Sequence, residues 1–313
     1  MKDFAGRVAV ITGAGSGIGR ALADRAAALG MKLVLADVDA EALERATDDL
    51  LAGGSEVLSM VCDVRKCSHV EELADAAMIR FHGVHLVFNN AGVATAGLVW
   101  EHSEADWEWV LGVNLWGAIH GVRIFTPLML DCARREPGYE GHIVNTASMA
   151  GLLSTPALGL YNVAKHAVVA LSETLYHDLR LVDAPVGASV LCPYYVPTAI
   201  AQSERHRPDE LRRHHGPTRS QQAALALLAQ SVESGHITAA EVARMTFDAV
   251  GRGDFYIFTQ PDTLDAVATR MQAIVAAQPP ADPYAADPYA ADPSAVTSAL
   301  REALRASLKG QGT

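Results

Sequence analysis

Residues 8–20 have the sequence VAVITGAGSGIGR. A β-branched run at Val8–Thr12 is followed by a turn with glycine at every second position from 13 to 19, and a helical pattern begins at the last two glycines. Glycine permits the dihedral angles of a tight turn, and the first N–H groups of a helix attract an anion. We therefore predict a strand, a loop that holds a dinucleotide phosphate, and a helix.

The spacing of these glycines decides which dinucleotide motif they match. The G-x-G-x-x-G register fails, because a start at Gly15 would place Arg20 at the last glycine. The pattern T-G-x-x-x-G-x-G fits instead. We predict cofactor contacts from six residues of this loop: Gly13, Gly15, Ser16, Gly17, Ile18 and Gly19.

The alternation of short β-branched runs with longer helical stretches continues from Arg7 to about Phe258. This alternation is typical of parallel strands joined by crossover helices. It predicts an α/β fold with a doubly wound parallel seven-stranded sheet and helices on both faces. The predicted strands are Val8–Thr12, Lys32–Ala36, Glu56–Val61, Leu86–Asn89, His142–Thr146, Gly187–Leu191 and Phe255–Phe258. The predicted helices are Gly17–Ala28, Ala40–Ala52, Ser68–Phe81, Glu104–Leu130, Tyr161–Val182 and Ala239–Val250.

One catalytic domain is expected at 1–260, followed by a C-terminal helical extension at 261–313. Within the first, residues from about 194 to 235 interrupt the rhythm of strands and contain a polar patch over 204–216. The patch follows the sixth strand at a carboxyl end, where α/β proteins bind ligands, so we interpret 194–235 as a substrate lid. A solvated insertion is the alternative, since surface loops are commonly polar.

The tail contains a five-residue repeat, ADPYA, over residues 281–293. Repeated proline prevents a regular helix or a central strand there. Beyond the repeat, residues 294–308 have apolar side chains at four-residue spacing and are predicted to form a helix. We expect its apolar stripe to pack on the protein's own core or on a neighbouring subunit, rather than to bind another protein.

The composition excludes several classes of function. Among 313 residues, 36 acidic against 25 basic side chains give a net charge of −11, so neither nucleic acid nor an anionic membrane is expected as a partner. No run of about 18 apolar residues could span a membrane, and the N-terminus lacks a signal-peptide core. Four cysteines without a C-x-x-C pair and twelve histidines without H-x-x-x-H spacing argue against disulfides and a metal site. We expect a cytoplasmic protein.

The ends of the second, third and fourth strands carry further candidate cofactor contacts. Asp37 ends the second strand, where a carboxylate accepts bonds from the adenosine ribose and would repel a 2′-phosphate. This predicts NAD rather than NADP, although Arg20 is a nearby cation and Asp37 could instead be only the N-cap of the next helix. The remaining predicted contacts in these loops are Val38, Asp63, Val64, Asn90, Ala91 and Gly92.

Tyr161 and Lys165 are separated by one helical turn, so their side chains project from the same face of the predicted helix. A phenol with a pKa near 10 is a poor base at neutral pH, but a neighbouring ammonium and a cationic nicotinamide favour the phenolate. Tyr161 is therefore a candidate general acid/base, with Ser148 and Asn114 as further candidate catalytic residues. Taken singly, these residues could also be a core aromatic, a turn cap and a solvated lysine.

Together these residues resemble the motifs of the short-chain dehydrogenase/reductase family. The resemblance covers about Phe4 to Phe258 and rests on motifs that occur in the family's order. They are T-G-x-x-x-G-x-G at 12–19, N-N-A-G at 89–92, Asn114, Ser148 and Y-x-x-x-K at 161–165. The resemblance implies a single-domain Rossmann-type fold. It also implies NAD(P)-dependent oxidation of alcohols or reduction of ketones, without a metal, by a homotetramer or homodimer.

The resemblance also implies a role for each catalytic residue. Tyr161 exchanges the proton of the substrate oxygen while hydride passes between the substrate carbon and nicotinamide C4. Lys165 binds the nicotinamide ribose and lowers the pKa of the tyrosine, and Ser148 binds the substrate oxygen. Asn114 holds a water that links Lys165 to solvent.

One departure from the family's pattern follows the sixth strand. The family commonly has Pro-Gly and a Thr a few residues later, whereas this chain has Pro193, then Tyr194 in place of the glycine, and then Thr198. Pro193, Val196 and Thr198 are still expected to contact the cofactor, and Tyr194 is expected to narrow the pocket. The predicted substrate pocket consists of Ser148, Met149, Leu153, Tyr161, Tyr194 and Tyr195, with Val93 and Trp100 as further candidates.

Apolar and aromatic walls suit a bulky or aryl secondary alcohol or ketone, unless several of these side chains simply fill the core. Within the family, the sequence is loosely similar to the branch of bacterial aryl alcohol Cα-dehydrogenases, which ranks aryl substrates ahead of steroids and polyols. A catalytically silent dinucleotide-binding regulator is the alternative function.

Overall fold

The structure is a computed structural model that describes residues 1–213, 215–281, 283, 301–302 and 304–305. The strands are β1 (Val8–Thr12), β2 (Lys32–Asp37), β3 (Val57–Val61), β4 (Leu86–Asn89), β5 (Gly141–Thr146), β6 (Val186–Cys192) and β7 (Tyr256–Phe258). They form one seven-stranded sheet in the order β3-β2-β1-β4-β5-β6-β7, and every neighbouring pair is parallel. The sequence order reverses between β1 and β4, which creates the crevice where such sheets bind ligands.

The helices lie on both faces of this sheet. They are α1 (Gly17–Ala28), α2 (Ala40–Ala52), α3 (Cys67–Phe81), α4 (Glu104–Leu111), α5 (Gly117–Arg135), α6 (Gly159–Leu181), α7 (Arg219–Glu233), α8 (Ala239–Arg252) and α9 (Leu264–Val275). Because successive strand residues point to opposite faces, Ala9 and Ile11 pack with α1 and α8, while Val8 and Val10 pack with α3, α5 and α6. The predicted doubly wound fold is confirmed.

The sequence locates most elements closely. Each predicted strand agrees with the structure to within one residue at either end, and five of the six predicted helices agree to within two. The exception is the single helix predicted over Glu104–Leu130, which is wrong. The chain forms α4, then a π-helical segment at Gly112–Trp116, and then α5, which continues to Arg135.

The described residues of 194–235 contain no strand, as their sequence indicates, but they form several helical segments. Two 3-10 segments, Ala199–His206 and Asp209–Leu211, precede α7. The repeat at 281–293 and the helix predicted over 294–308 lie outside the described residues, apart from isolated positions. In the part of the chain that the structure describes, no helix has both the length and the apolar character to cross a bilayer.

The amino ends of the strands carry a polar rim of their own, opposite the crevice. His85 Nε2 lies 3.2 Å from Glu136 Oε2, and the Tyr139 hydroxyl donates a hydrogen bond to the carbonyl of Val84. The rings of His85 and Tyr139 stack with their centroids 5.2 Å apart. These contacts join the start of β4 to the chain that enters β5.

Candidate active site

The loop between β1 and α1 has no room for side chains at its glycines. Gly13 and Gly17 have positive φ values of 67° and 55°, which L-residues rarely adopt. A Cβ at Gly19 would lie 1.9 Å from the carbonyl oxygen of Gly13, and a Cβ at Gly13 would lie 2.9 Å from the Cα of Ala91. Glycine is therefore required at these positions because neighbouring backbone fills the space that a side chain would need. The resulting turn at the start of α1 fits a dinucleotide phosphate.

Asn90 fixes the position of this loop. Its Nδ2 donates to the Thr12 carbonyl at 3.0 Å, and its backbone N–H donates to Thr12 Oγ1 at 2.9 Å. Its Oδ1 accepts a hydrogen bond from Thr146 Oγ1 at 3.3 Å. The side chain of Asn90 thus joins the ends of β1, β4 and β5 under the glycine loop.

Asp37 supports the same loop from the end of β2. Its Oδ2 accepts a hydrogen bond from the Gly15 N–H at 2.8 Å, and its Oδ1 accepts one from the Asp39 N–H at 2.9 Å. The alternative that Asp37 is only an N-cap is wrong, because Asp39 caps α2 by accepting a bond from the Ala42 N–H. Arg20 is paired with acidic residues of α1 and α2, Asp24 and Asp49.

Asp63 lies beyond β3 with its carboxylate held by a neighbour. Arg65 Nη2 donates to Asp63 Oδ2 at 2.7 Å, and the same nitrogen lies 3.1 Å from Glu210 Oε1. The carbonyl of the next residue, Val64, is 2.9 Å from His120 Nδ1. Arg65 therefore connects this predicted cofactor contact to the segment that follows β6.

Lys165 and Tyr161 lie on the face of α6 that is turned toward the crevice. Lys165 Nζ donates a hydrogen bond to the Thr146 carbonyl at 2.8 Å and lies 5.7 Å from the centroid of the Tyr161 ring. Ser148 Oγ accepts from the Ala150 N–H at 3.1 Å and donates to the Pro193 carbonyl at 3.3 Å. Ser148 is thus a turn cap as well as a residue of the cavity.

Burial shifts both ionisable groups of this pair away from their charged forms. Desolvation raises the pKa of the Tyr161 phenol to about 12, although a hydrogen bond with Ser148 acts in the opposite direction. Desolvation likewise lowers the pKa of the Lys165 ammonium to about 8. The chain alone therefore does not provide the lowered phenol pKa that the resemblance implies, because desolvation is the larger influence.

Asn114 lies in the π-helical segment, and both polar atoms of its side chain are used. Oδ1 accepts a hydrogen bond from the Val93 N–H, and Nδ2 donates one to the Val93 carbonyl, each at 2.8 Å. A Cβ at Gly92 would lie 3.4 Å from Asn114 Oδ1 and 3.6 Å from Lys165 Nζ. Asn114 and Lys165 thus flank the same small residue of the loop after β4.

A single cavity of about 330 Å³ brings the predicted residues together. Among the predicted cofactor and pocket residues, Gly15 and the further candidate Trp100 do not line it. Of the four predicted catalytic residues, Ser148, Tyr161 and Lys165 line the cavity and Asn114 does not. Val93 lines the cavity as expected, but Trp100 is 72% exposed and lies outside it, so that expectation is wrong. Trp109, a buried residue of α4, lines the cavity instead.

The segment after β6 forms another wall of the cavity. Tyr194 N–H donates to Thr259 Oγ1 at 3.3 Å, and the rings of Tyr194 and Tyr195 lie 4.5 Å apart. Further along, Ile200 and Val232 line the cavity. The polar patch at 204–216 is not uniformly solvated, since its Arg207 is buried.

Comparisons with known proteins agree with this geometry. Residues 7–209 match the family model described as short chain dehydrogenase. The structure of a short chain dehydrogenase/reductase from Burkholderia phymatum in complex with NAD is 54% identical, with a TM-score of 0.87 over 90% of this chain and 99% of that one. A CLA biosynthesis dehydrogenase/reductase from Lactiplantibacillus plantarum is 33% identical over 88% of this chain and 95% of the relative. The C alpha-dehydrogenase of a Sphingobium species is 30% identical over 88% of this chain and 87% of the relative.

Proposed function

The chain belongs to the short-chain dehydrogenase/reductase family, and we propose that it is an NAD-dependent enzyme that interconverts a secondary alcohol and a ketone by hydride transfer. The observation that carries this proposal is one cavity lined both by the glycine loop and by Ser148, Tyr161 and Lys165. Such an arrangement holds a dinucleotide and a substrate in contact and places a proton donor and acceptor beside them.

We assign the acid/base role to Tyr161. In oxidation its Oη takes up the alcohol proton, and in reduction it returns that proton to the carbonyl oxygen. Ser148 Oγ binds the same substrate oxygen, while the Lys165 ammonium stabilises the phenolate and Asn114 supports the loop beside it. When bound, the nicotinamide ring accepts or supplies the hydride at C4.

NAD is proposed in preference to NADP. The Asp37 carboxylate lines the cavity at the end of β2, where it suits ribose hydroxyls and would repel a 2′-phosphate. Arg20, the cation that could have bound such a phosphate, is held by Asp24 at 2.9 Å and by Asp49 at 3.0 Å. These pairings support the NAD assignment.

A bulky, uncharged and preferably aryl substrate fits the rest of the cavity. Its walls beside Tyr161 are apolar or aromatic, and they include Met149, Leu153, Tyr194 and Tyr195. Apolar walls with a few polar groups are typical of sites for apolar small molecules. The similarity to a relative named C alpha-dehydrogenase supports the same ranking.

We further propose that residues 1–260 form the catalytic domain, with residues 194–235 as its substrate lid, and that subunits assemble as a homodimer or homotetramer. Contacts of this segment with the cavity support the lid. Apolar side chains exposed on the surface support assembly, among them Trp116 and three residues of α9 in the C-terminal extension, Met271, Ile274 and Val275.

The test is NADH formation from NAD⁺ with a panel of aryl and aliphatic secondary alcohols, with NADP⁺ in parallel. We expect turnover of aryl alcohols with NAD⁺ and a loss of about 10²–10⁴-fold in Tyr161→Phe, since general acid/base catalysis contributes on that order. Tyr176→Phe is the matched control, because Tyr176 is on the same helix and its hydroxyl contacts Arg180 at the surface. That control should keep full activity.

Two results would contradict the proposal. Undiminished turnover in Tyr161→Phe would remove the assigned acid/base. Binding of NADH without turnover of any alcohol or ketone would instead favour the dinucleotide-binding regulator.

A further inference from the structure

A buried carboxylate on α4 connects this helix to the lid. Asp106 is 1% exposed and is the third residue of α4, where its Oδ2 accepts hydrogen bonds from the N–H and hydroxyl of Ser103. Its Oδ1 accepts from Arg207 Nη2 at 2.7 Å and from Arg213 Nε at 2.8 Å. His102 Nδ1 lies 3.9 Å from Oδ2. One carboxylate therefore binds two arginines that follow it by 101 and 107 residues.

Arg207 transmits this contact to the wall of the cavity. Its guanidinium carbon lies 4.2 Å from the centroid of the Trp109 ring, a cation–π contact, and Trp109 lines the cavity. Its Nη1 donates to the Leu211 carbonyl at 3.1 Å, and its Nε lies 2.7 Å from Glu204 Oε1. The Arg207 side chain thus holds the lid and the indole of Trp109 in one arrangement.

Three consecutive residues after β4 contact both the lid and the catalytic region. Val93 pairs with Asn114 through two hydrogen bonds, and the Ala94 N–H donates to Ser203 Oγ at 3.1 Å. Arg213 Nη2 donates to Thr95 Oγ1 at 3.2 Å. Because Ser203 and Arg213 are lid residues, the loop that holds Asn114 also holds the lid.

Helix capping alone does not explain this cluster. The N-terminus of α8 has the same kind of capping box, formed by Thr238 and Glu241, and no arginine from a distant part of the described chain bonds to it. Burying charged groups removes their hydration, so a buried ion pair is weak support for stability and serves better to select one geometry. At Asp106 the ion pairs select the arrangement in which Arg207 and Arg213 of the lid lie against the cavity wall.

We propose that Asp106 is a positioning residue of the substrate pocket, acting through Arg207 and Arg213 to hold the lid against Trp109. The proposal rests on the proposed function, since it concerns the same cavity. Without the carboxylate, the lid samples arrangements in which this wall is not formed. The apparent affinity for the alcohol then falls in proportion to the fraction of protein molecules that still have the wall in place.

The decisive variant is Asp106→Asn, which keeps the shape of the cap and removes its charge. We expect the KM for the alcohol to rise by about tenfold while kcat changes by less than about threefold. Trypsin should cleave the lid faster after Arg205 and Arg212, whose side chains are exposed and are kept in the variant. Glu241→Gln is the matched control, because it neutralises the capping box of α8 and should change neither readout.

Arg213→Gln keeps the proposal testable if Asp106→Asn does not fold. It leaves the pair of Asp106 with Arg207 intact and removes the contact with Thr95, so we expect a smaller rise in KM, about threefold, and intermediate cleavage. A purely structural role predicts a lower melting temperature with unchanged KM and cleavage in the folded variant, and that result would overturn the proposal. Cleavage of the lid needs no substrate, so it tests Asp106 even if the wild type oxidises no alcohol.

Discussion

The two halves of the cavity are built in different ways. The cofactor half comes from short stretches of chain, in which glycine is required because the backbone itself occupies the space of a side chain. The substrate half depends on pairs of side chains that are about 100 residues apart, such as Asp106 with Arg207. The first half is therefore sensitive to single backbone positions, and the second to charge and burial.

Gly19→Ala should have the largest effect, because it disrupts the cofactor half directly. The added methyl group would lie 1.9 Å from the Gly13 carbonyl oxygen and 2.6 Å from Asn90 Nδ2, so the loop must shift. Overpacking of this kind costs about 1–3 kcal/mol, and we expect NADH binding to weaken by about 10- to 100-fold in a fluorescence titration. Gly251→Ala on α8, which meets no atom within 4 Å, is the control. Equal NADH affinity in the two variants would refute the steric argument.

The pH dependence of alcohol oxidation tests the substrate half, where burial governs the chemistry. In the reaction that we propose, oxidation needs the phenolate of Tyr161, and burial raises the pKa of this phenol to about 12. The reactive fraction, and with it kcat/KM at saturating NAD⁺, should therefore rise about tenfold per pH unit in the neutral range. The rise should flatten near pH 8, where Lys165, whose pKa burial lowers to about 8, loses its positive charge. Ketone reduction, which uses the protonated phenol, should not rise with pH.

Initial rates of NADH formation, measured at constant ionic strength from pH 6 upward, would give this profile of kcat/KM against pH. Repeating the series with different buffer ions is the control. Oxidation that does not depend on pH would show that the environment of Tyr161 does not limit the proton transfer.

Glu210→Gln should have the smallest effect. Glu210 pairs with Arg65, which also binds the predicted cofactor contact Asp63, but the Glu210 side chain is 62% exposed, and exposed ion pairs contribute little. We expect the rate of NADH release, measured by stopped-flow fluorescence, to change by less than about twofold. Tryptic cleavage after Arg205 and Arg212 should also stay at the wild-type rate. Cleavage as fast as in Asp106→Asn would mean that the exposed and the buried contacts hold this segment equally.

The same contrast explains what the sequence could predict. Strands and the glycine loop follow from patterns within a short run of neighbouring residues, so their positions agree closely with the structure. The break at Gly112–Trp116 was missed because a π-helical turn keeps the chain helical and hardly changes the apolar period. Trp100 and Trp109 both follow the pocket candidate Val93 closely in the sequence. Only the packing of α4 distinguishes the exposed indole of Trp100 from the buried indole of Trp109.

Three predicted catalytic residues line the cavity for reasons that the sequence shows. Tyr161 and Lys165 are one helical turn apart on α6, and Ser148 follows the carboxyl end of β5. The contacts of Asp106 with Arg207 and Arg213 have no comparable local signal. A polar patch rich in arginine indicates a surface loop as readily as a buried ion pair, and only the fold brings the acidic partner to it.

The rim at the amino ends of the strands, with His85, Glu136 and Tyr139, has a practical consequence for protein engineering. Because all seven strands run in the same direction, this rim lies a full strand length from the cavity, and none of these three residues lines it. Substitutions intended to raise thermal tolerance can be chosen there, while changes in selectivity are sought at the lid. Substitutions that raise thermal stability at the rim and substitutions that change selectivity at the lid should then have nearly additive effects.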